Sequence, residues 1–114
     1  MKANQSARLR RIKEFEFNQS RLRANQIETM IAEFDRICID LARQIEAEEM
    51  RARIDDPTHF AYPTYAKAAR ERRAKLQRSS DALRIELETL RNALSIEANE
   101  PPNWQLASAA SVAA

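Results

Sequence analysis

The sequence predicts an all-α protein, a two-helix antiparallel coiled-coil hairpin with a Pro-bounded tip. Three observations predict it. The 114 residues include no Gly and four Pro, and Ala, Glu, Arg, Leu and Ile dominate, residues that lose little freedom on entering a helix. Small or apolar side chains recur at alternating steps of three and four along both halves, the mark of a coiled-coil seam. Charge falls into blocks of opposite sign that face one another when the chain folds back on itself. Length allows one domain, a hairpin over residues 1–98 followed by a tail.

Arm one is expected at about 8–54. Its seam reads Ala24, Ile27, Ile31, Phe34, Cys38, Leu41, Ile45, Glu48, Ala52, widened by Met30 and Ile37. Upstream of Ala24 the pattern degrades: Leu9, Ile12 and Phe15 are out of phase with Phe17, and Gln19 and Ser20 interrupt both tracks. A phase shift is therefore expected there, with the first turns loosely packed or projecting alone. The tip is expected at 55–62, because Asp56-Pro57 and Tyr62-Pro63 each push the residue before proline out of the helical region. Arm two is expected at about 63–98, with the seam Tyr62, Ala66, Ala69, Arg73, Leu76, Ser80, Leu83, Leu87, Leu90, Leu94, Glu97. Pro101-Pro102 ends it, and residues 99–114, Ala/Ser-rich with one Trp, are expected to be disordered.

Folding back at the tip pairs positions whose numbers sum to about 117. Leu41 then meets Leu76, Phe34 meets Leu83, Ile31 meets Leu87, Ile27 meets Leu90 and Ala24 meets Leu94. Residues 1–23 carry seven basic and two acidic side chains, 24–56 four and nine, 57–84 seven and two, and 85–114 one and four. A parallel in-register dimer would stack like charge on like, whereas the hairpin sets the acidic block of arm one against the basic block of arm two. Each exposed pair contributes only about 0.3–0.5 kcal/mol, so the pattern chooses orientation more than it stabilises. A monomer is expected. At 1.5 Å per residue arm one reaches roughly 70 Å and arm two roughly 55 Å. The overhang exposes Arg8, Arg10, Arg11, Lys13, Phe15 and Phe17.

The same residues leave little room for catalysis. Without Gly there is no Walker-type phosphate loop, dinucleotide fingerprint or nucleophile elbow. One Cys and one His make neither an internal disulfide nor a zinc site, and Cys38 is read as a seam residue. A non-enzymatic protein with no cofactor and no metal is expected. The start, Met1-Lys2-Ala3-Asn4-Gln5-Ser6-Ala7-Arg8, has no apolar run of a secretory signal, and no stretch is long enough to span a bilayer, so the cytoplasm is the expected location. Binding of partners falls to the tip, where His59, Phe60, Tyr62 and Tyr65 gather, and to the overhang, through Arg8, Arg10, Arg11 and Phe17. The tip rings are read in two ways, as caps over the end of the seam or as a contact patch.

The run Asp56-Pro57-Thr58-His59-Phe60-Ala61-Tyr62-Pro63-Thr64-Tyr65-Ala66-Lys67-Ala68-Ala69-Arg70 resembles the short alphaproteobacterial form of the flagellar export protein FliJ family. The first arm, with Ile27-Glu28 and Ile45-Glu46-Ala47-Glu48-Glu49, is similar to that form too, and the resemblance covers roughly residues 8–98. It implies a coiled-coil component of the flagellar type III export apparatus, stalk-like in the export ATPase ring. It also implies contact with the export gate membrane protein, escort of export chaperones, and a peripheral place at the inner membrane. The family's longer members carry further helix at both ends, whereas here Pro101-Pro102 ends the second arm and an Ala/Ser stretch follows. Two other readings stand beside it: a general coiled-coil scaffold or adaptor, and a nucleic-acid-binding protein acting through the basic arm. Against the last, net charge is only +2 and no aromatic platform is interleaved with the basic residues. A basic amphipathic N-terminus touching anionic lipid weakly is a further possibility on the same residues, without stable membrane insertion.

Overall fold

The computed structural model describes residues 2–99 and contains two antiparallel helices, α1 over Lys2–Ala52 and α2 over Thr64–Asn99. The two-helix hairpin read from the seam is the fold. No Gly or Pro interrupts the chain before Pro57, so α1 begins several residues earlier than the expected 8 and runs unbroken for 51 residues. The expected disordered tail lies, beyond Asn99, outside the described residues.

The chain divides into two compact units, one of residues 28–85 and the other of the described parts of 1–27 and 86–114. In the 28–85 unit, Leu41, Ile45 and Ala69 form a buried cluster with Ile37 and Leu76 packed against it. Ala66, nearer the tip, is buried as well. Ser80 is buried within the seam, and its hydroxyl donates to Asp35 Oδ1 at 2.9 Å. Arg84 pairs with the other oxygen of the same carboxylate. The Cys38 thiol points to the Arg73 carbonyl at 3.8 Å, a weak bond on the seam position expected for it. In the other unit Ala24, Ile27 and Leu87 are buried, and Arg23 Nη2 lies 3.2 Å from Glu86 Oε1.

Two expectations need correcting. Of the seam leucines Leu83, Leu87 and Leu90, expected at the interface between the arms, only Leu87 is buried and the other two are half-buried, because a seam between just two helices leaves the flanks of its layers open to water. The phase shift upstream of Ala24 does not occur. Phe17 and Ser20, both half-buried, continue the same three-four alternation into Ala24 and Ile27, while Leu9, Ile12 and Phe15 are exposed. An uninterrupted helix keeps its faces, so the small polar Ser20 holds a seam position and the larger apolar residues fall outside it.

Candidate functional site

The tip is built as a series of closed turns. After Ala52 the backbone of Arg53 takes a left-handed φ of 58°, and the Ile54 N–H donates to the Glu49 carbonyl at 3.3 Å. This six-residue closure is the Schellman ending of a helix, with Arg53 in the place glycine usually fills. The Asp56 carbonyl accepts from the His59 N–H at 3.1 Å, making a β-turn with Pro57 in the second position that proline favours. The His59 carbonyl then accepts from the Tyr62 N–H at 3.1 Å, a second turn directly after the first. The Pro63 carbonyl accepts from the Lys67 N–H at 3.0 Å and opens α2.

Side chains lock these turns. Asp56 Oδ1 accepts from the Thr58 hydroxyl at 2.7 Å and the Thr58 N–H at 2.9 Å. Those two bonds, the hydroxyl first, hold the Asp56 carboxyl below the ordinary aspartate value, with the nearby His59 acting in the same direction. His59 Nδ1 accepts from the Ala61 N–H at 3.0 Å, and its ring stacks on Phe60 with centroids 4.7 Å apart and planes 21° apart. Phe60 is 97% exposed. Two consecutive turns thus place an apolar ring in water, stacked on an imidazole whose Nδ1 accepts a backbone bond.

The other two rings of the expected patch do different work. Tyr62 is buried, and its hydroxyl accepts from Arg70 Nε at 2.9 Å, while the same guanidinium sits 5.9 Å from the ring centroid. Arg70 Nη2 also lies 3.7 Å from Glu49 Oε2. The Tyr62 hydroxyl bond, with Glu49 adding to it, raises the Arg70 pKa above the ordinary arginine value. Arg70 therefore ties the end of α1, the tip and the start of α2 together. Tyr65 is 58% exposed and donates its hydroxyl to Gln44 Oε1 at 2.7 Å, across the hairpin. The structure brings His59 and Phe60 together as an outward pair, makes Tyr62 a brace, and tethers Tyr65 along the flank.

Of the arm residues, Arg8 and Arg11 are exposed, as are Lys13 and Phe15, whereas Arg10 and Phe17 are half-buried. Phe17 belongs to the seam rather than to an exposed patch. Sequence reasoning missed the cap at Arg53, for which no Gly gave a signal, and an open groove beside the end of α1 lined by Glu46, Glu49, Met50, Arg53, Ile54 and Asp55. Among the described residues no group of three or more His, Cys, Asp or Glu side chains is placed to hold a metal ion, and no helix is long and apolar enough to cross a membrane.

What the fold and the tip define is a coiled-coil hairpin that offers an ordered turn and its helix flanks as surface. Comparison with models of known protein families, with curated proteins and with solved structures found no match to this chain.

Proposed function

We propose that this chain is a non-enzymatic component of the flagellar type III export apparatus, a stalk-like partner of the export ATPase and the export gate and an escort for export chaperones. The observation that carries this reading is the run of residues 56–63. It resembles the FliJ family in sequence, is not a product of heptad repetition, and forms two closed turns between antiparallel helices. Phe60 is the contact residue of the tip, because its apolar ring, stacked on His59 at an ordered turn, stands in water where a partner can cover it.

The experiment is deletion of the gene in the organism that carries it, scored for swimming and for secretion of flagellar filament protein. Both should be lost on deletion and restored by the wild-type chain. Phe60→Ala should restore them poorly while keeping wild-type helix content. A deletion strain that swims and secretes normally removes the export reading and leaves the general scaffold or adaptor.

A further inference from the structure

We propose that the N-terminal turns of α1 dock on an anionic lipid surface. With 51 residues in α1 and 36 in α2, the antiparallel arrangement carries the first turns of α1 past the last described turn of α2. On these turns Leu9, Ile12 and Phe15 follow one another at steps of three, and Leu22 stands one heptad beyond Phe15. All four are exposed, between 45% for Ile12 and 63% for Phe15. Phe15 and Leu22 share a heptad position on the face away from the seam, which Phe17, Ser20 and Ala24 occupy, so α2 does not cover the ridge. Elsewhere on α1 the exposed large apolar residues, Ile39 and Met50, stand singly.

Charge selects the occupant. Residues 1–23 carry seven basic side chains against two acidic ones, Glu14 and Glu16, and Arg8, Arg11 and Lys13 are exposed on the same turns as the ridge. Apolar side chains set among cations match a bilayer interface. Leu9, Ile12 and Phe15 enter the acyl boundary while the long Arg and Lys side chains reach back to headgroup phosphates. A nucleic acid would use the cations but offer nothing to Leu9 and Ile12. A second copy laid ridge to ridge would set one basic block against another. The docking stands whether or not the chain serves flagellar export.

The test floats the full chain with vesicles of phosphatidylcholine alone and of phosphatidylcholine mixed equally with phosphatidylglycerol. The chain should float with the mixed vesicles and not with the neutral ones. Phe15→Asp, and separately Arg8→Glu with Arg11→Glu, should each weaken binding by about tenfold or more, since each basic residue near an anionic surface contributes roughly a fivefold factor. Ile39→Asp, exposed but off the ridge, should bind as wild type. The proposal is overturned if the mixed vesicles are not bound, if neutral vesicles are bound equally, or if Phe15→Asp binds like wild type. It is equally overturned if the chain ignores vesicles yet binds an oligonucleotide. Self-association that Phe15→Asp abolishes, without vesicle binding, would assign the ridge to contact between copies instead.

Discussion

Ser80 occupies a seam position whose neighbours along α2 are Leu76, Leu83 and Leu87, and it is 1% exposed. A buried hydroxyl is tolerated only when its hydrogen bond is made, and here Asp35 accepts it while also pairing with Arg84. The two sides of this bond are not equivalent. Ser80→Ala removes a hydroxyl and leaves Asp35 with Arg84, so it should cost about 1 kcal/mol or less. Asp35→Ala strands a buried hydroxyl and frees Arg84, so it should cost more, roughly 1–3 kcal/mol. Thermal unfolding followed by circular dichroism checks the order, and equal losses would show that the bond carries no weight. At the tip, Asp56 binds its proton less readily in the folded chain because Thr58 donates to its carboxylate twice. Its contribution to stability is therefore present above the ordinary aspartate pKa and is lost as pH falls through the lowered folded value. Thr58→Ala should raise the Asp56 pKa toward the ordinary value in an NMR titration. An unmoved titration would mean that these bonds do not form in solution.

The end of α1 is set by one device and the pairing along both helices by another. Arg53 holds a left-handed backbone that costs a side-chain-bearing residue about 1–2 kcal/mol. Arg53→Gly should therefore raise stability by roughly 0.5–1 kcal/mol, the gain trimmed by the greater freedom of glycine in the unfolded chain. A fall in the melting temperature would show that the Arg53 side chain contributes something the cap geometry does not. Along the seam, Leu87→Ala should cost roughly 2–3 kcal/mol, with Leu83→Ala and Leu90→Ala each costing less because those side chains are half-buried. The seam positions were legible because every third-and-fourth residue from Ala24 to Ala52 and from Tyr62 to Leu94 is small, apolar or, at Arg73, Ser80 and Glu48, partly apolar or compact. The tip was legible as a break, from two prolines. Its inner wiring was not, because the role of Arg70 depends on a three-way meeting with Tyr62 and Glu49 that only the folded turn creates. The N-terminal turns misled for a plain reason. Apolar identity marks a seam only where a second helix lies opposite, and Leu9, Ile12 and Phe15, all exposed, have none opposite them.

For the molecule as a whole, the charge blocks and the ion pairs agree. Arg23 of the basic start meets Glu86 of the acidic end, while Asp35 and Glu49 of the acidic block meet Arg84 and Arg70 of the basic one. These pairs are mostly exposed and contribute at most about 1 kcal/mol each, so burial along the seam supplies stability and charge supplies orientation. The tip, the exposed Phe60 and the uncovered start of α1 all follow from one claim, that the two helices fold back within a single chain. The most direct measurement is crosslinking of a Phe34→Cys, Leu83→Cys chain, with Cys38→Ser, by a short bismaleimide in dilute solution. The hairpin predicts a crosslink within one chain and a product of unchanged mass class. Crosslinks found only between separate chains would contradict it.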